Sequence, residues 1–206
     1  MHKQVERHRL LLASSSRYRQ ELLARLGLPF TAIAPDIDET PAPGEEPHTT
    51  ALRLAQNKAE AIARNVPNCV VIGSDQVATL DGLQIGKPGT HENALAQLKK
   101  MQGRSIVFHT ALCVIDNREN RFTPKTQVCN VQTLVTFRTL CESQLDAYLR
   151  IEQPYDCAGS AKNEGLGIAL MESISGTDPT ALTGLPLIAL TTMLMNAGFP
   201  FFGEAV

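Results

Sequence analysis

The chain has 206 residues, of which 43% are hydrophobic and 19% are charged, and its formal net charge is −2. These proportions are typical of a folded globular protein and exclude a disordered or low-complexity chain. A net charge so near zero also argues against a general nucleic-acid-binding protein, which needs a broad basic surface. An anionic ligand would therefore have to be bound by a local cluster of cations.

The N-terminus and the cysteines set further limits. Residues 1–8 are polar, and the apolar stretch that follows them is too short for a signal peptide or a membrane span. We predict that residues 1–8 form a flexible N-terminal extension and that residues 9–206 form a single domain. The five cysteines are widely spaced and include no C-x-x-C pair, so reduced thiols in the cytoplasm are expected.

The first predicted element is a short apolar strand that runs through three serines into a basic helix over 17–26. A helix N-terminus carries four backbone N–H groups without partners and the positive end of the helix dipole, so phosphate binds there readily. Ser14 and its neighbours add hydroxyl groups, and Arg17 and Arg19 add positive charge. Serine is equally a common N-cap, so this junction alone is also consistent with an ordinary turn.

A second strand is predicted over 31–34, and an acidic, proline-rich loop over 35–47 follows it. The length of this loop suggests a functional role for it, and Glu39 lies within it. The clearest helix is predicted over 49–64, because its apolar residues recur at steps of three and four. Lys58 lies near the edge of that apolar stripe.

The continuous apolar run over 69–73 is typical of a buried central strand, and it is expected to end at the polar residues 74–76. Asp75 would then lie at the carboxyl end of a central strand, where a carboxylate can bind a divalent cation or act as a general base. Aspartate is also a common residue at strand ends, so Asp75 alone is not decisive. A hairpin turn is predicted at Asp81 and Gly82, and glycine and proline around Lys87 form a second turn.

The remaining elements continue the alternation of strands and helices. They are a helix over 91–101 capped by Thr90, a hairpin over 105–137 with a turn near 116–120, a helix from Thr139 and Glu142 to about 150, a glycine-rich loop over 158–165, a strand over 166–171 and a helix over 185–196. This order is typical of an α/β or mixed α+β domain.

Several short segments follow one another in an order typical of a known family. They are Leu12-Ala-Ser-Ser-Ser-Arg-Tyr-Arg, Asp38-Glu-Thr, Ala55-Gln-Asn-Lys-Ala, Gly73-Ser-Asp-Gln, Gly86-Lys-Pro, Gly159-Ser-Ala-Lys-Asn-Glu-Gly and Gly184-Leu-Pro-Leu. Together they resemble the Maf family of nucleoside triphosphate pyrophosphatases. One departure is Arg17, where the family more often has proline.

The resemblance implies a long twisted mixed sheet flanked by helices, with two lobes around a central cleft, and a homodimer. It implies hydrolysis of the bond between the α- and β-phosphates of a nucleotide, with a divalent cation such as Mg²⁺, Mn²⁺ or Co²⁺. A nucleotide is the expected partner, with no nucleic acid and no membrane, and the cytoplasm is the expected location.

The resemblance also implies roles for individual residues. Asp75 would accept a proton from water and Glu39 would bind the metal, with Asp75 as a second metal ligand. The implied phosphate-binding residues are Ser14, Arg19, Lys58, Lys87 and Lys162. Lys58 and Lys87 also belong to the implied catalytic group.

Tyr18, Gln76 and Glu164 would set the substrate. Members of the family that act on dTTP and UTP typically carry Arg, Thr and Gln at these positions, whereas this trio resembles the subgroup that acts on 7-methyl-GTP. An N7-methylated guanine is a flat cation, which suits an aromatic face and a carboxylate. The alternatives are a dTTP/UTP pyrophosphatase, a non-catalytic regulator of septum formation and cell division, and a nucleotide sensor without turnover.

Overall fold

The structure is a computed structural model that describes residues 9–118 and 126–202. Strands and helices alternate along the chain. The predicted extension over 1–8 and part of the predicted turn near 116–120 lie outside the described residues. The strands are β1 (Leu10–Ala13), β2 (Phe30–Ile33), β3 (Val70–Leu80), β4 (Leu83–Ile85), β5 (Ser105–Asp116), β6 (Thr126–Phe137) and β7 (Met171–Gly176). The helices are α1 (Arg17–Ala24), α2 (Pro47–Ala63), α3 (His91–Met101), α4 (Glu142–Glu152) and α5 (Leu187–Asn196).

The strands of the described residues form one mixed sheet in the order β2-β1-β3-β5-β6-β7, with β4 also paired to β3. β1 is parallel to both of its neighbours, whereas the pairs β3–β5, β5–β6 and β6–β7 are antiparallel. The predicted mixed α/β class is therefore confirmed. Among the helices of the described part, none is both long and apolar enough to cross a membrane.

The helices cover both faces of the sheet. Buried side chains of α2 pack on one face. On the other face, α1 and α5 pack against the parallel strands, and α3 and α4 pack against the antiparallel strands. The groups around α1 and α3 are separate, and a cleft lies between them.

β3 is longer than the sequence pattern predicts. The strand was expected to end at residues 74–76, but it continues to Leu80 because β5 remains paired with it as far as Thr79. Asp75 is thus in the middle of β3, and its predicted position at the carboxyl end of that strand is wrong. The predicted hairpin turn is correct: Asp81 and Gly82 have φ values of 53° and 77°, as a tight two-residue β-turn requires.

Two other predicted boundaries are wrong. Residues Leu166–Leu170 form a 3₁₀ turn and the strand begins only at Met171, because the partner residues on β6 face 171–176. α4 begins after Cys141 rather than at Thr139, since the side chain of Gln144 accepts a hydrogen bond from the Cys141 N–H at 3.0 Å. In contrast, Thr90 caps α3 as predicted, with its side chain accepting from the Asn93 N–H.

Gly73 allows α2 to approach β3 closely. A Cβ atom at this position would clash with the carbonyl oxygen of Ala55 and lie 2.8 Å from the backbone nitrogen of Ala59. Both are backbone atoms in the middle of α2, so the helix would have to move away from the strand.

We expect Gly73→Ala to lower the free energy of unfolding by about 3 kcal/mol, as overpacking of a tight core does. The same displacement would separate Lys58 on α2 from Asp75 on β3. Chemical denaturation measures the first effect. Gly86→Ala is the stability control, because an added Cβ there meets no atom within 4 Å; equal stability of the two variants would contradict this interpretation.

Candidate active site

A gap in the sheet explains how a central strand can carry functional residues. β1 pairs with residues 70–73 of β3, and β4 pairs with residues 78–80. Because β5 follows the opposite edge of β3, β1 and β4 share one edge and leave residues 74–77 between them without a strand partner on that side. A cavity of about 610 Å³ lies at this gap, and Asp75 and Gln76 line it.

The two flanks of the gap bring the first predicted anion-binding residues to the cavity. Ser14 follows β1 directly and is 4% exposed, and its hydroxyl oxygen accepts a hydrogen bond from the Ser16 N–H at 3.1 Å. Ser16 is the N-cap of α1, accepting from the Arg19 N–H at 3.4 Å. Lys87 follows β4 on the other flank and also lines the cavity. The serine junction thus faces a lysine across the gap.

Arg19 is held in place by the loop that precedes α5. Its Nε–H donates to the carbonyl oxygen of Gly184 at 2.9 Å, and the Ser74 hydroxyl donates to the same oxygen at 2.9 Å. Burial lowers the pKa of Arg19, while the charges of Asp75 and Glu39 act in the opposite direction. The guanidinium remains charged, and its terminal nitrogens are left for phosphate oxygens.

The centre of the cavity is a lysine between two carboxylates. The ammonium nitrogen of Lys58 lies 2.7 Å from Asp75 Oδ1 and 2.7 Å from Glu39 Oε1. Lys58 and Asp75 are 5% and 7% exposed, whereas the Glu39 side chain is 53% exposed. Burial raises the pKa of Glu39. The Lys58 hydrogen bond and the charges of Lys58, Lys87 and Arg19 act in the opposite direction and together outweigh burial, so the pKa of Glu39 is lowered.

These carboxylates fit a divalent cation only together with a ligand. In the described part of the chain, no group of three or more His, Cys, Asp or Glu side chains is arranged to hold a metal. Lys58 contacts one oxygen of each carboxylate, Oε1 of Glu39 and Oδ1 of Asp75, so each has a second oxygen that can face a cation. Mg²⁺ typically takes one or two protein carboxylates and completes its shell with water and substrate phosphates.

The acidic loop that carries Glu39 is anchored by a residue that sequence reasoning missed. Glu45 in this loop binds two nitrogens of Arg53, each at 2.7 Å. Arg53 also donates to the carbonyl oxygen of Thr40, next to Glu39. The Arg53 hydrogen bond lowers the pKa of Glu45 to about 2, despite the opposing effect of burial. A basic residue eight positions along the chain was the available signal.

The three predicted specificity residues line the same cavity as Lys58. They are Tyr18, Gln76 and Glu164. Burial raises the pKa of Tyr18, with Lys162 acting against it, and burial also raises the pKa of Glu164. Asn163, which sequence reasoning did not single out, lines the cavity too and donates to the Thr183 hydroxyl at 2.9 Å.

The orientation of the Gln76 amide is fixed by its neighbours. Its nitrogen donates to the Thr110 hydroxyl at 3.0 Å and to the carbonyl oxygens of Ala181 and Leu182 at 3.0 and 2.9 Å. Because both carbonyl partners are acceptors, the nitrogen must face them. Gln76 therefore offers a ligand its carbonyl oxygen, which is an acceptor.

Lys162 is not among the residues that line the cavity. Its ammonium group lies 3.5 Å from the carbonyl oxygen of Glu152 and 4.0 Å from a carboxylate oxygen of Asp156. Arg17, whose side chain is 87% exposed, forms an ion pair with Glu21 on the same helix. Among the predicted phosphate-binding residues, Ser14, Arg19, Lys58 and Lys87 are brought together, and Lys162 is not.

Comparison with known protein families gives a match over most of the chain. The sequence profile described as Maf-like protein matches residues 9–197. The chain belongs to the Maf family. The matched range includes every strand and helix described above, which agrees with the resemblance that the short segments indicated.

Relatives from several bacteria are similar over nearly the whole chain. A Burkholderia thailandensis protein is 63% identical over 197 residues, which cover 94% of this chain and 90% of the relative. A Cupriavidus metallidurans protein is 61% identical, covering 94% and 96%, and a Ralstonia nicotianae protein is 62% identical, covering 94% and 97%. Each of these relatives is named 7-methyl-GTP pyrophosphatase.

A solved structure of a HAM1 protein from Coxiella burnetii is a partial likeness. The matched region covers 63% of this Maf chain and 72% of the Coxiella burnetii chain, with a TM-score of 0.43 and 20% sequence identity.

Proposed function

We propose that this Maf protein hydrolyses 7-methyl-GTP to 7-methyl-GMP and pyrophosphate. The observation that carries the proposal is the position of the Lys58 ammonium, 2.7 Å from both Asp75 and Glu39, in a cavity that Ser14 and Arg19 also line. Cations for phosphates, and carboxylates that can activate water, thus share one cavity. The names of the relatives support the same substrate.

Asp75 acts as the proton acceptor. Its Oδ1 is held by Lys58, so the other oxygen takes the proton as water attacks one phosphorus of the α–β anhydride. The bond between the attacked phosphorus and the bridging oxygen breaks, and the two products are 7-methyl-GMP and pyrophosphate. The hydrogen bond from Lys58 at 2.7 Å keeps the Asp75 carboxylate oriented until the water arrives.

The phosphates are bound by fixed donors from the two flanks of the gap. Ser14 and Arg19 act from the β1 side and Lys87 from the β4 side, so the triphosphate bridges the gap in the sheet. These donors are already in position before charge develops on the leaving group, which is how such sites lower barriers. Lys162 joins them only if its side chain leaves Glu152.

Glu39 would hold a divalent cation, Mg²⁺, Mn²⁺ or Co²⁺, through the oxygen that does not face Lys58, and Asp75 would be a second ligand only while its own second oxygen is not accepting the proton. When bound, the cation would offset phosphate charge. Glu39 is suited to this role because its pKa is lowered, so it remains an anion at any physiological pH.

The base is recognised by acceptors and an aromatic ring. The Gln76 carbonyl oxygen and the Glu164 carboxylate are acceptors, and guanine presents two adjacent donors, N1–H and the exocyclic amine. Thymine and uracil present only one N–H, between two carbonyl groups, and match this pair poorly. Tyr18 stacks on the base, and the cationic ring of 7-methylguanine strengthens this contact.

We expect Glu164→Gln to reduce the preference for 7-methyl-GTP over GTP by about threefold, since a charge-assisted contact is roughly twice as strong as a neutral one and Tyr18 still favours the cationic base. The measurement is pyrophosphate release from each nucleotide. Glu172→Gln is the matched control, because Glu172 is an exposed carboxylate on β7 that does not line the cavity. An unchanged ratio in Glu164→Gln would remove Glu164 from base recognition.

The bond that is cleaved is tested by product analysis. We expect 7-methyl-GMP and pyrophosphate in equal amounts from the wild-type protein, whereas 7-methyl-GDP and phosphate would contradict the proposal. A non-catalytic regulator of cell division would retain its cellular effect in Asp75→Ala, and a nucleotide sensor would bind without releasing product.

We also propose, on the family resemblance, that residues 9–206 act as one domain within a cytoplasmic homodimer. Neither nucleic acid nor a membrane is expected as a partner. Sedimentation of the purified protein gives the oligomeric state.

A further inference from the structure

The turn that carries Lys87 is held from behind by α3. The side-chain amide of Asn93 donates to the carbonyl oxygen of Pro88 at 3.0 Å, and that of Gln97 donates to the carbonyl oxygen of Gly86 at 3.0 Å. Asn93 and Gln97 are four residues apart, so they project from the same face of the helix. Together they hold the backbone on both sides of Lys87, whose own side chain remains free for a ligand.

The same Gln97 amide also reaches a second segment. Its Oε1 accepts a hydrogen bond from the Ser160 hydroxyl at 2.7 Å. Ser160 is fully buried and has a φ of 54°, a left-handed conformation that is uncommon for serine and must be held by its surroundings. The Tyr148 hydroxyl holds the same residue by donating to the Ser160 carbonyl oxygen at 3.2 Å.

The two segments that Gln97 joins serve different ends of the cavity. Lys87 belongs to the phosphate-binding group, and the chain beyond Ser160 leads directly to Asn163 and Glu164 at the base-binding end. A second link joins the turn at Lys87 to the chain shortly before Ser160, because the Gly89 N–H donates to the carbonyl oxygen of Tyr155 at 3.0 Å. Gln97 itself does not line the cavity.

We propose that Gln97 is a positioning residue, which fixes the phosphate-binding turn at Lys87 and the base-binding segment after Ser160 relative to each other. This inference rests on the proposed function of the cavity. A side-chain amide suits the role because it presents a donor to the Gly86 carbonyl and an acceptor to the Ser160 hydroxyl from one group. The hydrogen bond to Gly86 and the hydrogen bond from Ser160 can therefore be removed separately by substitution.

Amide hydrogen exchange tests the physical link without any substrate. We expect Gln97→Met to accelerate exchange in residues 86–89 and 158–164 by about tenfold, since each lost hydrogen bond loosens its segment. Gln97→Glu keeps the acceptor and should affect mainly 86–89, whereas Ser160→Ala should affect mainly 158–164. Gln102→Met is the matched control, because Gln102 is the C-cap of α3 and its side chain bonds instead to Lys99 and Leu140.

Kinetics test the functional consequence. We expect Gln97→Met to lower kcat/KM for 7-methyl-GTP by about tenfold, with Gln102→Met unchanged. In a Lys87→Ala background the effect of Gln97→Met on kcat should nearly vanish, because Gln97 acts on kcat through Lys87. A purely structural role would instead give independent, multiplying losses.

The outcomes are distinguishable. Two results would overturn the role of Gln97. One is unchanged amide exchange in both segments, and the other is a loss of kcat in Gln97→Met that multiplies with the loss of kcat in Lys87→Ala. Absence of pyrophosphate release by the wild-type protein would overturn the proposed function, while the exchange experiment would still decide whether Gln97 holds the two segments.

Discussion

Asp75→Asn is expected to lower kcat by about a thousandfold, because asparagine cannot accept the proton of the attacking water. Asparagine has nearly the same shape, and its Oδ1 can still accept the hydrogen bond from Lys58 that Asp75 receives at 2.7 Å. The fold should therefore persist, with the change confined to kcat. Steady-state pyrophosphate release at saturating nucleotide and metal is the measurement.

Asp156→Asn is the matched control for this variant. Asp156 also lines the cavity, but its side chain is 73% exposed, and we expect it to leave kcat within about twofold of the wild-type value. Near-normal turnover by Asp75→Asn would show that Asp75 is not the proton acceptor.

Lys58→Met is expected to cost both stability and activity. Removing the ammonium leaves Asp75 buried without its partner and facing Glu39, so the free energy of unfolding should fall by about 3 kcal/mol at neutral pH. kcat should fall by at least about a hundredfold, because the carboxylates lose their orientation and the phosphates lose a cation. Urea denaturation and pyrophosphate release measure the two effects.

The stability cost of Lys58→Met should depend on pH in a defined direction. Burial without a cation raises the pKa of a carboxyl group, so in the variant the penalty is present at about pH 7 and shrinks at about pH 4 as the carboxyls take up protons. Lys99→Met is the control, since it removes a lysine from an exposed pair with Glu142 at 2.7 Å. A loss of stability equal to that of the control, or one that does not change with pH, would contradict a buried ion pair at the centre of the site.

Local chemistry explains which parts of the fold were predictable. Thr90 caps α3 and the turn at Asp81 and Gly82 closes a hairpin, because each of these signals depends on residues within one turn of the chain. The serine junction after β1 was also predictable in kind. Which serine caps α1 was not, since Ser14 and Ser16 have the same side chain and only their place in the turn differs.

Features that depend on distant strands could not be predicted in this way. Asp75 looked like the end of a strand because polar residues interrupt the apolar run, whereas β5 keeps β3 extended and the ends of β1 and β4 open the gap. Gln97 joins two segments far apart in the chain. No local pattern distinguishes such side chains from ordinary surface residues.

The most direct test of the central claim is the kcat/KM of the wild-type protein for 7-methyl-GTP, GTP, dTTP and UTP, measured side by side as pyrophosphate release. We expect 7-methyl-GTP to be preferred over GTP by about tenfold, and over dTTP and UTP by more, because Gln76 and Glu164 both offer acceptors and Tyr18 favours a cationic base. A preference for dTTP or UTP would contradict this base-binding site.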